Sequence, residues 1–262
     1  MRLFGALLMA GLLVGCVLTN ETGGVADRGD AVDRRTAVIE TSLAGTVQLF
    51  TERAGGGRRA GSAVVIAVDP ATDRTLILTT AHLLKPVVRQ SIYAARPLHG
   101  DRVPVAVLAM DLEADLALLS ASGLGLSAIE LQSTSVLGDG VWVVAFPWGR
   151  ARTVVNGVVS QITWRTGLHD RVPISGPVRL IDASVSYGMS GGGVFDRTTG
   201  GLAGIVRGYR TAELALSGSA DSSLKLPVAG ETTVIPSIEI GCFLDRNGHA
   251  SLLSERISLS SC

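Results

Sequence analysis

The amino-acid sequence predicts an all-β protein, a sandwich or a barrel. Three observations carry that expectation. Short runs rich in valine, isoleucine, leucine and threonine recur between residues 46 and 206, the composition that fits a pleated, half-buried surface. Turn chemistry punctuates them, as at Gly55-Gly56-Gly57 and Asp69-Pro70, where glycine and proline supply the backbone angles a reversal needs. Between the runs, no long segment places apolar residues at helical spacing. The chain has 262 residues, 47% hydrophobic and 18% charged, with 23 basic against 23 acidic side chains. So even a balance gives no reason to expect a nucleic-acid partner.

Residues 1–15 read as a secretion signal rather than as part of the fold. Arg2 supplies a positive charge, and residues 3–14 form an apolar run too short to span a bilayer but laid out as a cleaved leader. The ending Leu13-Val14-Gly15-Cys16 resembles a bacterial lipobox. That resemblance implies lipidation of Cys16, which becomes the first residue of the mature chain. Acyl chains anchor a protein by burying CH₂ groups worth ~0.8 kcal/mol each. Val17 stands where an aspartate would favour inner-membrane retention, so the resemblance implies the outer membrane of a bacterial envelope, on its periplasmic or surface side. Residues 16–35 are polar and without hydrophobic periodicity, the pattern of a lipidated tether. Without residues 1–15 the chain keeps 22 basic and 23 acidic residues.

The strands follow in order. Residues 46–50 alternate, and residues 62–68 and 75–79 read as a pair around the Asp69-Pro70 turn. Residues 103–109 and 115–120 complete a first set, expected as one unit over 36–125. A second set, over 126–240, comprises residues 140–146, 153–162, 178–185, 192–195 and 202–206. Short strands at this spacing suit a sandwich or barrel. Residues 241–262 form a tail. Cys242 and Cys262 remain after Cys16 is assigned; an even pair in an exported chain is expected to form a disulfide.

The chemistry concentrates at Asp182-Ala183-Ser184-Val185-Ser186-Tyr187-Gly188-Met189-Ser190-Gly191-Gly192-Gly193. A serine hydroxyl is a poor nucleophile unless a base takes its proton. It also needs backbone N–H groups aimed at the oxyanion it creates. Gly188 permits a tight turn that presents such a group. Upstream, the apolar run 76–81 ends in His82, and Asp115 opens the run Leu116-Ala117-Leu118-Leu119. Asp111 and Glu113 compete with Asp115 for the same role. His99, His169 and His249 lack a comparable setting and read as surface residues.

In the order His, Asp, Ser, these pieces resemble the trypsin-like serine proteases, and most of all their bacterial HtrA/Do-type branch. The matching residues are Thr80-Ala81-His82, Asp115-Leu116-Ala117-Leu118-Leu119, Gly188-Met189-Ser190-Gly191-Gly192, the preceding Asp182-Ala183 and the following Gly204-Ile205-Val206. The resemblance implies two six-stranded antiparallel β-barrels with the active site in the cleft between them, and only a very short helix after His82. It implies Ser190 as nucleophile, His82 as base, Asp115 as the residue that orients it, and Gly188 and Ser190 N–H groups as oxyanion hole. It implies a polypeptide substrate, whose backbone pairs with Ile205, Val206 and Arg207. Ser184, a neutral residue six positions before Ser190, argues against a preference for Lys or Arg at the cut site. No cofactor and no metal are expected. Met189 stands where many members carry an aspartate that pairs with a newly cut amino terminus, so activation by amino-terminal insertion is not expected. Too few residues follow Ile235 for a PDZ-like domain.

Two rival readings accompany this one. Gly188-Met189-Ser190-Gly191-Gly192 also fits the G-x-S-x-G elbow of α/β-hydrolases, with Asp221 and His249 as partners. That elbow leads into a helix, and Gly191-Gly192-Gly193 is a poor helix start. A catalytically silent trypsin-like binding lipoprotein is the other rival.

Overall fold

A computed structural model describes residues 23–85, 90–95, 100–163, 173–215, 223–253 and 262. Residues 1–22, with the leader, Cys16 and the start of the tether, lie outside that set, as do His99, His169 and Asp221. The architecture is mainly β. Helix α1 (Gly23–Ala44) leads into β1 (Thr46–Arg53), β2 (Arg58–Asp69), β3 (Arg74–Thr80), β4 (Gln90–Ala95), β5 (Arg102–Pro104), β6 (Ala106–Asp111) and β7 (Leu116–Ser122). These strands form one antiparallel sheet in the order β5-β4-β1-β2-β3-β7-β6. The second unit holds β8 (Ser135–Val136), β9 (Gly140–Ala145), β10 (Thr153–Ile162), β11 (Ser175–Gly176), β12 (Val178–Asp182), β13 (Gly193–Asp196), β14 (Leu202–Ala215) and β15 (Ser223–Pro236), followed by α2 (Ser237–Arg246). Six of these close into a barrel, β10-β12-β15-β14-β13-β9, while β8 and β11 pair apart.

The expected double barrel is therefore present with one change. The second unit is a closed six-stranded barrel, and the first is a seven-stranded sheet with open edges at β5 and β6.

Local chemistry explains the strand ends. At the β2–β3 turn the Asp69 carboxylate accepts from Ala71 N–H (2.9 Å) and Thr72 Oγ1 (2.7 Å), closing an Asx turn of the kind the Asp-Pro pair signals. The interior is layered. Val47, Leu49, Ile77, Leu84 and Leu119 fill the first sheet; Val143, Ile162, Ile181, Val194 and Val206 fill the barrel. A third cluster joins Val64, Leu78 and Leu118 of the sheet to Phe195, Leu202 and Ile205 of the barrel and to Ile240, Phe243 and Leu244 of α2. Each such side chain contributes about 1.5–3 kcal/mol of burial, so the seam between the units is a true core.

Two helices depart from expectation. Residues 23–35, read as a tether, are helical, and α1 runs on to Ala44. Its side chains from Gly29 to Ala37 are exposed, and packing begins at Val38 and Ser42, so the helix is held by its last two turns. The second is α2, which seals the seam. Among the described residues, no helix is long and apolar enough to cross a membrane.

Candidate active site

His82 sits in the 3₁₀ turn Ala81–Leu84 that follows directly on β3. Asp115 sits immediately before β7, whose register pairs Thr80 with Leu116. Adjacent strands thus bring the two residues together. Ala81 N–H donates to the Asp115 carbonyl at 3.0 Å, and His82 N–H donates to Asp115 Oδ1 at 2.9 Å. The imidazole Nδ1 lies 3.1 Å from Oδ1 and 2.9 Å from Oδ2 of the same carboxylate. Asp115 itself adopts φ 60°, the left-handed region that short polar side chains tolerate best.

The competition among the three acids is resolved by what each holds. Asp111 Oδ1 accepts from Glu113 N–H and Ala114 N–H at 2.9 Å each, which shapes the turn into Asp115, and its Oδ2 pairs with Arg246 at 3.2 Å. Glu113 is exposed. Burial by itself would raise the Asp115 carboxyl; the His82 hydrogen bonds and charge, with the Arg207 guanidinium, more than offset this and hold it below the usual carboxylate range. Arg207 Nε lies 3.5 Å from Asp115 Oδ2.

Ser190 comes from the barrel, on the loop between β12 and β13. Two glycines of that loop are obligatory. Gly188 has φ 88°, and a Cβ there would stand 2.8 Å from the Phe146 carbonyl oxygen. Gly191 has φ 82°, and its missing Cβ would collide with the Ser62 carbonyl and Thr79 Oγ1. The loop is stitched to the first sheet by Ser62, in the middle of β2. Ser62 N–H donates to the Ser190 carbonyl at 3.0 Å, Ser62 Oγ donates to the Gly188 carbonyl at 2.9 Å, and Phe146 N–H donates to Ser62 Oγ at 2.9 Å. Thr79 Oγ1 in turn donates to the Ser62 carbonyl at 2.7 Å. No sequence pattern marks Ser62, because its partners lie far away in the chain.

Among the described residues, the N–H groups of Gly188 and Ser190 find no acceptor within the protein, while those of Met189, Gly191 and Gly192 do. Two unsatisfied donors flanking a serine are what an oxyanion hole requires. The hydroxyl is turned elsewhere: Ser190 Oγ donates to the Arg207 carbonyl at 3.3 Å, and among the described residues it makes no hydrogen bond to His82. Met189 is buried in the barrel core and accepts from Ser186 N–H through Sδ.

The expected substrate strand needs correction. Ile205 and Val206 are 0% and 1% exposed, and Val206 bonds Gly191 and Gly192 through both its carbonyl and its N–H. Neither residue offers a side chain or a free backbone edge to a ligand. The pairing of β13 with β14 stops at Gly193–Ile205 and the Gly191-Gly192 contacts stop at Val206, so the open edge of β14 starts at Arg207. A cleft of about 630 Å³ opens there, lined by His82, Asp115, Arg179, Arg207, Arg210 and Glu239. Burial raises the Glu239 carboxyl above its usual range, against the opposing charge of Arg207. Ser184 is exposed on the loop after β12, and among the described residues no hydrogen bond ties it to His82 or Ser190. Cys242 and Cys262 are joined in a disulfide.

The elbow reading fails on this geometry: the chain leaves Gly191-Gly192 as strand β13, not as a helix, and His249 lies at the end of the chain beyond α2.

Comparison with known proteins agrees with the geometry. The family model of the trypsin-like peptidase domain matches residues 61–205. The mitochondrial serine protease HTRA2 of Drosophila grimshawi and that of Drosophila virilis are each 32% identical over 126 residues, which is 45% of this chain and 28% of theirs. The match therefore spans under a third of the length of those curated relatives. Among solved structures, an HtrA-type protease with a tripeptide aligns with TM-score 0.58 at 20% identity, covering 80% of this chain and 63% of that one. The serine endoprotease from Yersinia pestis aligns with TM-score 0.58 at 19% identity, over 81% and 66%. Rv3671c from M. tuberculosis, in an inactive form, aligns with TM-score 0.59 at 18% identity, over 83% and 94%. At such identities the likeness is one of fold.

Proposed function

This chain belongs to the trypsin-like peptidase family, and from that premise we propose that it is a serine endopeptidase working through Ser190, His82 and Asp115. One observation carries the reading. The imidazole held by Asp115 lines a cleft with Arg207, whose carbonyl holds the hydroxyl of Ser190 in a loop with two unsatisfied N–H donors. In the reaction, Ser190 Oγ leaves the Arg207 carbonyl by a side-chain rotation and attacks the substrate carbonyl. His82 takes its proton and returns it to the leaving amine, and water then hydrolyses the acyl-enzyme by the same route. Gly188 and Ser190 N–H receive the oxyanion; one such donor is worth about 3 kcal/mol in the transition state. Substrate backbone pairs with β14 from Arg207 onward, and the neutral Ser184 argues against Lys or Arg at the cut.

The Ser190–Arg207 bond favours a second reading, a chain that rests silent until a ligand turns the hydroxyl. Labelling by a fluorophosphonate, beside casein cleavage and the Ser190→Ala variant, tests both. Cleavage lost in Ser190→Ala supports the peptidase. Labelling without cleavage supports a gated enzyme, and neither signal supports a binding protein.

The envelope reading rests on sequence alone. The protein is proposed to be exported and lipid-anchored at Cys16, in the bacterial outer membrane. Incorporation of labelled palmitate that survives Cys16→Ser would overturn it.

A further inference from the structure

Trp148 and Tyr187 stand side by side on the surface with 64% and 52% of their area exposed. Their ring centroids are 5.6 Å apart and the planes tilt by 35°. Large aromatic side chains in a packed domain are more usually covered, and this pair is held open by the backbone. Trp148 adopts φ 56°, a conformation that costs a non-glycine residue free energy and clusters at functional sites. Trp148 N–H donates to the Tyr187 carbonyl at 2.6 Å, and Gly149 N–H donates to the Phe146 carbonyl at 3.0 Å. A Cβ on Gly188 would approach Trp148 N to 2.9 Å. The turn at Pro147–Gly149 and the Gly188 loop are therefore packed backbone to backbone, which fixes the aromatic pair relative to the Gly188 and Ser190 N–H groups.

Resting on the peptidase reading above, we infer that Trp148 and Tyr187 form an aromatic shelf that takes an aromatic or large aliphatic side chain of the polypeptide substrate, flanking the scissile bond. Continuity with the reacting atoms selects that occupant. Tyr187 directly precedes Gly188, so a peptide whose carbonyl lies at the Gly188 and Ser190 N–H groups passes the shelf within one or two residues, at about 3.3–3.6 Å per residue. The shelf presents π-faces and no charge, so it selects by apolar area and ring stacking.

The test measures binding to the full chain carrying Ser190→Ala, using matched fluorescent hexapeptides that place Phe or Ala in turn at every position of one uncharged sequence. At one position the Phe peptide should bind about tenfold more tightly than the Ala peptide, the discrimination an apolar site achieves. Trp148→Ala and Tyr187→Ala, each shown folded by its melting curve, should reduce that ratio to within about twofold, and Trp148→Phe should restore most of it. A ratio near one in the unsubstituted surface, or a ratio unchanged in both variants, overturns the shelf. So does binding to phosphatidylglycerol vesicles that depends on Trp148 while peptides show no Phe preference, since a membrane would then be what covers the rings. Fluorophosphonate labelling of the native chain is scored separately: peptide discrimination without labelling retains the shelf and removes the peptidase reading.

Discussion

The two halves of the molecule hold their parts of the site by different means. In the first sheet, His82 and Asp115 are placed by strand register. β3 and β7 pair from Arg74–Ser122 to Thr80–Leu116, and the dyad stands just past the last pair. In the barrel, Ser190 is placed by a glycine loop at positive φ that leans across the seam on Ser62. On the peptidase reading proposed above, the open-edged sheet thus delivers a preformed base, and the closed barrel delivers a nucleophile whose orientation depends on a few long-range hydrogen bonds. Consistent with this, His82 is bonded to Asp115 while Ser190 is bonded to Arg207. Damage to the sheet side should remove chemistry and leave the fold intact. Damage to the loop side should loosen both.

The largest expected effect falls on the sheet side. Asp115→Asn should lower turnover by about 10⁴-fold, because the amide holds the wrong imidazole tautomer, while melting changes little near the acid limit. Asparagine tolerates the left-handed backbone at this position, so the variant isolates the charge. The sign of the pH dependence follows from the depressed Asp115 carboxyl. Its stabilisation is present above the ordinary carboxylate value of about 3.9 and is lost as pH falls through the lower folded value. Melting curves of Asp115→Asn and the native chain should therefore converge as pH drops below about 4. A gap that widens on acidification would contradict the assignment.

The loop side gives the next effect. Gly191→Ala places a Cβ against the Ser62 carbonyl and Thr79 Oγ1 in a left-handed conformation. The backbone strain alone costs roughly 1–3 kcal/mol, and the collision adds to it. Fluorophosphonate labelling should slow by about 100-fold, the range seen when one oxyanion donor is lost, with a lowered melting temperature. Labelling at the native rate would mean the loop is not positioned as described. Ser62→Ala should act in the same direction more weakly. It leaves the Gly188 carbonyl and Phe146 N–H without their partner, each worth about 1–3 kcal/mol when buried. Stability and labelling should fall together whatever the pH, whereas the stability loss of Asp115→Asn should vanish on acidification.

This contrast also explains what the sequence made legible. Thr80-Ala81-His82, Asp115 and Gly188-Met189-Ser190 are local strings, and the structure brings the first two together and carries the third on a loop whose serine hydroxyl bonds the Arg207 carbonyl. The strand at residues 153–162 was readable from composition alone and is β10 as observed. Helix α1 was not, because its exposed stretch 29–37 carries no apolar stripe and, among its described residues, only Val38 and Ser42 bury. For α2 a signal existed: Ile240, Phe243 and Leu244 stand at helical spacing and are all fully buried. Ser62 and the burial of Ile205 and Val206 were unreadable in principle, since both depend on which distant segments meet at the seam. The curling of the first sheet without closure belongs to the same class.

The smallest effect on chemistry is expected at the chain's end, and it separates stability from function most sharply. The Cys242–Cys262 disulfide closes a separation of 20 residues onto α2, which seals the seam through Ile240, Phe243 and Leu244. In the chain-entropy model such a loop is worth roughly 3 kcal/mol. Cys262→Ser should therefore lower the melting midpoint by several degrees, and dithiothreitol should lower that of the native chain equally. The His82–Asp115 pair is held by strand register on the sheet side, so labelling of Ser190 at low temperature should change by less than about twofold, within the small range of changes remote from a site. A large loss of labelling at a temperature where the variant remains folded would mean that α2, through Glu239 and Arg207 in the cleft, sets the orientation of the dyad. The base would then be as dependent on the seam as the nucleophile.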